Sequence, residues 1–475
     1  MAERGSFHSN VTATSARRTI PAVTSATETI RTTRRIRAII ADRDRLLTLT
    51  CKTERRLTPP EHRPIAAYQA DPENIGRVLL LYSGGLDTSV MLHWIQAEYG
   101  AEVVTLTVEL GQPDEDWTAI VEKARDMGAI ETVVVDAREE FAADFVVPAI
   151  RANALYGGGY PLFTALARPL IARTAVGVAR EHGCDTIAHG CTGKGNDQVR
   201  IDATIAALGP ELRVLAPVRE WSMGREEEIS YARAHRIPVS GGTDKPPYSI
   251  DDNLWGRSSE GQVIEDIEQP PPDDVFQLVT TPEQAPDEPE VVRLGFEAGR
   301  PITLDGERLG IVELIDRVTD LGRRHGIGIV DHIEDRIVGL KVRDIYEVPA
   351  ATIILAAHKD LEKLVSTIHQ NNFKPSLDNQ WAYLCYAGLW YEPLRADLEA
   401  YMVAANEYVT GEVSVRLYKG SAMVVARSSP FALYDKSLAG FGESGGEFSQ
   451  LASPGFIELF SLQTRMAQRV RNADR

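Results

Sequence analysis

Seven consecutive residues, Ser83-Gly84-Gly85-Leu86-Asp87-Thr88-Ser89, carry the densest chemistry in this 475-residue chain. Two glycines let the backbone turn sharply and approach a ligand closely, and three hydroxyls flank them as donors. Amides freed by such a turn, at the positive end of a helix, bind an anion such as phosphate, while the Asp87 carboxylate is of the kind that holds magnesium. The spacing is not that of a Walker A loop, which needs a glycine, four residues and then Gly-Lys-Ser/Thr. A second string, HGCTGKGNDQVR from His189 to Arg200, contains Gly-Lys, but Gly195 stands where a phosphate loop needs its hydroxyl. It offers instead a glycine-rich turn feeding a helix, with Asn196 and Arg200 at i and i+4 on one face. Asp197 is expected about 100° round, toward a different ligand group. Alone, Ser-Gly-Gly is an ordinary strand-to-helix connection and Asn-Asp-Gln-Arg a solvated helix start; the elements around them decide.

Residues 78–82 are short, apolar and without alternation, the pattern of a strand buried on both faces of a parallel sheet. Leu86, Val90 and Trp94 then recur every four residues, an apolar stripe for a helix. Further strands are expected at 102–110, 132–135, 185–188 and 214–217, and helices at 117–127, 139–155, 165–181 and 225–235, with an unusual Tyr156-Gly-Gly-Gly-Tyr160-Pro161 loop between two of them. Strands alternating with helices predict a parallel sheet with right-handed crossovers. Both strings open at its carboxyl edge, where open α/β sheets bind ligands.

Beyond Ile237 the composition changes. Pro246-Pro247, Pro270-Pro271-Pro272 and the acidic, proline-rich stretch 281–289 read as irregular excursions into a second, α+β domain. Its expected parts are a helix at 311–324, a strand at 336–343, a helix at 350–368, a helical stretch at 381–408 kinked or divided by Pro393, and strands at 411–417 and 421–426. An Ala-Gly-Phe-Gly loop and an amphipathic helix at 455–472, read as an oligomerisation arm, finish the chain. The organisation is thus a basic extension 1–74, a nucleotide-binding domain 75–237, a second domain 238–428 and a C-terminal arm 429–475.

A hydrophobic content of 43% suits two or three domains with their own cores. The net charge of −17 argues against nucleic acid or an anionic membrane as partner. Residues 1–74 are the exception, with 13 Lys/Arg against 8 Asp/Glu, which leaves 38 against 60 for the remainder. Their lack of apolar periodicity marks a disordered, dispensable extension more than a targeting arm. Cys51, Cys184, Cys191 and Cys385 have neither a disulfide-scaffold nor a metal-site spacing, which implies buried thiols in a reducing cytoplasm. No apolar run approaches the roughly 18–20 residues that span a bilayer.

SGGLDTS after an apolar strand resembles the pyrophosphate loop of the N-type ATP pyrophosphatases. HGCTGKGNDQVR, YSIDDN at 248–253 and EDRIVGLKVRDIYE at 334–347 narrow the resemblance to the argininosuccinate synthase family, from about residue 75 to the C-terminus. That resemblance implies an α/β nucleotide-binding domain, an α+β synthetase domain and a C-terminal helix tying a homotetramer. It implies ATP-dependent ligation of L-citrulline and L-aspartate in arginine biosynthesis, with AMP and magnesium-bound pyrophosphate released. By position, ATP falls to Leu81, Tyr82, Ser83, Gly84, Gly85, Leu86, Asp87, Thr88 and Ser89, to Val108, and to the stretch from Ala188 to Asn196 that includes His189 and Gly190. Aspartate falls to Thr192, Asn196 and Asp197, and citrulline to Tyr160, Asn196, Arg200, Ser249, Ser258, Glu334 and Tyr346. Asp87, Ser89 and Asp197 are the residues implied in catalysis.

The residue types suit these roles: a planar guanidinium at Arg200 for a carboxylate, a carboxylate at Glu334 for an ammonium. No general base or covalent nucleophile stands out, so catalysis is expected from positioning and charge stabilisation. The sequence departs from the family pattern at Ala165, where a serine helps hold citrulline, and at Leu81, Ile201-Asp202, Ile329 and Val342. The rivals are a paralogue adenylating another ureido or amide substrate, and a nucleotide-binding regulator without turnover.

Overall fold

The computed structural model describes residues 75–473 apart from 114, 222, 224, 239–247 and 440–448. The extension 1–74 with Cys51, the Pro246-Pro247 excursion and the Gly440-Phe441-Gly442 loop lie outside the described residues. The unit Pro64–Arg475 holds three sheets, the strands of the second and third interleaved along the chain.

The first is parallel, β3-β2-β1-β4-β5, built from β1 (Arg77–Leu81), β2 (Glu102–Glu109), β3 (Glu131–Asp136), β4 (Thr186–Ala188) and β5 (Arg213–Leu215). Continuous apolar runs put β1 at its centre, where Val78, Leu79 and Leu80 are fully buried. The helices between are α1 (Leu86–Tyr99), α2 (Trp117–Asp126), a helical stretch at 138–151, α3 (Phe163–Glu181), α4 (Asp197–Leu208) and, after β5, α5 (Arg225–Ala234). The stretch at 138–151 ends four residues before its expected limit and contains a π-helical segment, Phe141–Val146, which turns Phe141 and Phe145 into the core. Leu80 pairs with Ala188, so β1 and β4 release their chains side by side at the switch point of the strand order.

The second sheet is antiparallel, β11-β12-β7-β6, from β6 (Ser249–Asn253), β7 (Gly256–Glu260), β11 (Ile329–Asp335) and β12 (Lys341–Glu347). The third is β10-β9-β8-β13-β14, from β8 (Glu290–Glu297), β9 (Arg300–Leu304), β10 (Glu307–Arg308), β13 (Gly411–Tyr418) and β14 (Ser421–Ser428). Helices α6 (Ile311–Arg324) and α7 (Pro349–Val365) pack on the third sheet, α8 (Ile368–Tyr386) packs on α3, α9 (Pro393–Ala405) packs on α8 and on the stretch at 138–151, and α10 (Ala452–Phe460) and α11 (Leu462–Arg471) end the chain.

Several expectations change here. Of the strand expected at 336–343 only residues 341–343 are strand, the start of β12; 336–340 form the turn between β11 and β12, where Arg336 N–H bonds Leu340 C=O at 2.7 Å and Gly339 takes φ +86. Ile337, Val338 and Leu340, whose apolar character suggested a strand, are exposed there. The helix expected to 368 stops at Val365, and α8 starts anew behind a capping box between Thr367 and Gln370. Pro393 divides the stretch at 381–408 by taking the first position of α9, where its missing N–H costs nothing. The final helix breaks at Ser461, and none of its residues is buried. The hairpins β6–β7 and β8–β9 had no strand signal in the sequence reading.

Candidate active site

The Ser83–Ser89 loop is held open by its own backbone. Gly84 takes φ +75, a Cβ there would stand 3.0 Å from Ile120, and Lys123 Nζ fixes the Gly84 carbonyl at 2.7 Å. Gly85 caps α1 without any side-chain bond, which leaves the first amides of that helix facing outward. Ser83 and Thr88 bond each other at 3.2 Å, and Asp87 is exposed in the first turn. Ser89 does not join them: it is fully buried, and its Oγ donates to the Gly85 carbonyl at 2.6 Å, so it braces the turn from below. Burial, then the adjoining Asp87 carboxylate, push the Glu228 carboxyl on α5 up to about 8. Tyr82 is buried beside Ser89, and Val108 is buried near the same end of β2, its carbonyl taken by Gln112.

The second string leaves β4 beside that loop. His189 is buried; its Nδ1 accepts the Cys191 N–H at 3.1 Å, which fixes the tautomer and leaves Nε2–H for Asp202 at 2.7 Å. Asp202, one of the departures from the family pattern, also takes Arg219 Nη2 at 2.9 Å. Thr192 and Lys194 are exposed at the crest of the turn. Asn196 is buried at the start of α4, its Nδ2 on Tyr386 Oη at 2.8 Å and its Oδ1 on the Ile337 amide at 2.9 Å.

Asp197 does not point to a ligand apart from Arg200. It accepts from Arg200 Nη1 at 2.9 Å on one oxygen and from Arg168 Nε of α3 at 2.8 Å on the other. The 100° offset fixes the direction of its Cα–Cβ bond, but two cations within reach decide where the carboxylate ends. Burial pushes this carboxyl up, and the two arginines outweigh burial and hold it down at about 2. Arg168 also holds Asp251 at 2.8 Å, which ties α3 and α4 to β6. Cys191 supplies no thiolate here, because burial and then Asp197 push its thiol up.

One face of the second sheet gathers residues far apart in sequence. Across the ladders Glu334 pairs with Val342, His332 with Asp344, Tyr346 with Ser258 and Ser258 with Asp251, and residues two apart share a face. Ser249, Asp251, Ser258, Glu260, His332, Glu334, Asp344 and Tyr346 therefore lie on one side. Tyr160 stacks on Tyr346 at 4.5 Å and gives its hydroxyl to the first turn of α3, accepting from the Thr164 and Ala165 amides at 3.1 and 3.3 Å. Glu334 is buried and accepts from Tyr346 Oη at 2.5 Å and Tyr386 Oη at 2.8 Å.

Tyr386 is the residue the sequence did not disclose. It ends α8, stacks on Tyr156 at 3.5 Å, lies under the Arg200 guanidinium, and joins Asn196 to Glu334 through one hydroxyl. The chain turns directly behind it at Gly388, where a Cβ would meet the Arg200 backbone at 2.8 Å. Nothing in its neighbourhood, Leu384-Cys385-Tyr386-Ala387, marks it in the sequence. Ser249 and Thr192 are exposed and lie at the margin of this group.

A parallel sheet with a glycine turn at its switch point, facing a polar sheet whose buried acid Glu334 lies near the Arg200 guanidinium of α4, defines a nucleotide-binding α/β protein with a second polar cluster. Residues 77–238 match the family described as the arginosuccinate synthase N-terminal HUP domain, and residues 248–467 match the arginosuccinate synthase C-terminal domain. An argininosuccinate synthase of Rubrobacter xylanophilus is 54% identical over 391 residues, 82% of this chain and 94% of the relative. Those of Symbiobacterium thermophilum and Pyrococcus furiosus are 49% and 52% identical, over 84% and 82% of this chain and 98% and 94% of the relative. The chain belongs to the argininosuccinate synthase family.

Proposed function

We propose that this chain ligates L-citrulline and L-aspartate with ATP: the citrulline ureido oxygen attacks the α-phosphorus, pyrophosphate leaves, and the aspartate amine displaces AMP from the citrullyl adenylate. The observation that carries this reading is the meeting of Asn196 and Glu334 on the single hydroxyl of Tyr386, at 2.8 Å each, which sets the motif beside the nucleotide edge against the acid of the sheet face. The phosphates sit on the first-turn amides of α1 that follow Gly85 and on Ser83 and Thr88, the nucleoside along Leu81, Tyr82, Val108, His189 and Gly190. Arg200 takes the citrulline carboxylate and Glu334 its ammonium, with Tyr160, Ser249, Ser258 and Tyr346 around it. Thr192, Asn196 and Asp197 receive aspartate, and Arg168 keeps Asp197 ionised and in place.

Among the described residues no group of three or more His, Cys, Asp or Glu is fit to cage a metal. Exposed Asp87 fits one ligand position for magnesium arriving with the nucleotide, which supplies charge neutralisation on the departing pyrophosphate. The remaining catalytic effect comes from placing the ureido oxygen in line and from fixed donors around the phosphates. The division at 237 and 428, a cytoplasmic setting and a homotetramer belong to the same proposal. In their support, Cys184, Cys191 and Cys385 are free, and Phe456, Ile457, Leu459 and Phe460 present an apolar face to solvent.

Citrulline carrying ¹⁸O in the ureido group tests the whole reading. The heavy oxygen appears in AMP, formed one for one with argininosuccinate. Unlabelled AMP, or ADP in its place, would overturn the mechanism.

A further inference from the structure

Two carboxyls face one tyrosine hydroxyl on the sheet, and the protons available do not serve both as carboxylates. Tyr346 and Tyr386 have one phenolic proton each. Tyr386 accepts from Asn196 Nδ2 and, with the Asp335 carbonyl 3.1 Å away, gives its proton to the nearer Glu334 Oε1 at 2.8 Å, while Tyr346 donates to Glu334 Oε2 at 2.5 Å. Both Glu334 oxygens thus accept. Asp344 Oδ2 stands 3.3 Å from the same Tyr346 oxygen, whose proton already points at Glu334. The second contact needs a proton of its own, and Asp344 is the group that can bring it.

The surroundings favour that assignment. Asp344 is 5% exposed, and its Oδ1 has no hydrogen-bond partner. Arg336 Nη2 is 3.6 Å from Oδ1 and is engaged by Glu260 on β7. His332, directly opposite on β11, is pushed toward its neutral form by burial, so it adds no cation. Burial first, then the carboxylates of Glu334 and Glu260, push the Asp344 carboxyl up to about 8 against the pull of Arg336.

We propose that Asp344 is a second acid of the ammonium pocket, protonated while the pocket is free and ionised by the arriving ammonium, so that citrulline binding expels a proton. The inference rests on placing the citrulline ammonium at Glu334. The Asp344 O–H bond breaks, its proton goes to solvent, and the carboxylate oxygen left behind accepts from the ammonium. Two carboxylates on one ammonium reject a ureido compound without an amino group more strongly than one would. Affinity then rises with pH up to about 8, where Asp344 ionises before the ligand arrives, and levels off above until the citrulline ammonium itself loses its proton.

The test is calorimetry of citrulline binding to the full chain, with a non-cleavable ATP analogue present, at pH 7 in phosphate and in Tris. The two heats are expected to differ by the ionisation enthalpy of about one proton per site. Asp344→Asn, which keeps a donor toward Tyr346, is expected to bind citrulline about tenfold more weakly and with the same heat correction in both buffers. Equal heats for the unaltered chain, or a proton still released by Asp344→Asn, would overturn the proposal. If citrulline gives no heat at all while the analogue binds, the site reading falls and this inference with it.

Discussion

Two buried polar clusters of similar make-up do different work. In the first, Glu334 and Asp344 lie among Tyr346, Tyr386 and Asn196, and the nearest cation to Asp344 is Arg336 at 3.6 Å. In the second, Lys374 of α8 stands 2.8 Å from both Glu362 of α7 and Asp378 of its own helix, while Asn153 bridges the two acids and His358, and Asn406 bridges His358 and Arg151. The second cluster contains its own cation. The first has none so close, and the proposed citrulline ammonium would take that place. Burying a charge costs several kcal/mol unless it is paired, so an acid buried without a close cation marks where a charged ligand belongs.

The largest effect expected from this difference is on stability. Lys374→Met strips the cation from Glu362 and Asp378 and is expected to cost about 3–5 kcal/mol in denaturant unfolding, with the citrulline KM of the folded fraction unchanged. A mild loss of stability would mean that the second cluster does not depend on its cation. Glu334→Gln should do the reverse: an unchanged melting temperature and a fall of roughly 100-fold in kcat/KM for citrulline. If the variant melts early and turns over normally, Glu334 is structural and the contrast disappears.

Asp197 lies in the site yet has its cations, and so should behave like the second cluster in acid. Its carboxyl is held below the usual 3.8, so its contribution is present above that value and is lost as pH falls toward about 2. That contribution is worth about 2 kcal/mol, and Asp197→Asn should flatten the acid limb of the stability curve. An unchanged acid limb would show that Arg168 and Arg200 do not pair with it in solution. The smallest effect is that of Tyr386→Phe, which keeps the stack on Tyr156 and loses the bond between Asn196 and Glu334. Here kcat/KM should drop about tenfold with little change in melting. Normal kinetics would remove Tyr386 from the site.

How much of this could be read beforehand follows from how local each signal is. The Ser83–Ser89 loop and the Asn196/Arg200 pair are contiguous, and their glycines and the flanking apolar runs fix both the turn and the strand before it. Glu334 and Tyr346 could be named only through family resemblance. Their chemistry comes from a sheet face whose strands Ser249–Asn253 and Gly256–Glu260 are polar, and polar strands give no apolar alternation to detect. The β11–β12 turn misled for the opposite reason, since its apolar residues are outside. Helix α8 had a local signal, Thr367 three residues before Gln370, which would have placed its start, though nothing comparable marks Tyr386 at its end. The direction of Asp197 was not legible, because Arg168 comes from another helix.

The strand order also sets a timetable for a chain still emerging from the ribosome. Every strand of the parallel sheet has been made once residue 215 is out, but Glu290 of β8 waits for Leu417 of β13. At about 5–20 residues per second that wait is roughly 6–25 s, during which one side of β8 has no neighbour. An unpaired strand of this kind recruits strands from other chains unless charges interrupt it. Strand β8 carries them at Glu290, Arg293 and Glu297, both ends and the middle of its eight residues, so the delay built into the topology is matched by guards written into the strand that must endure it.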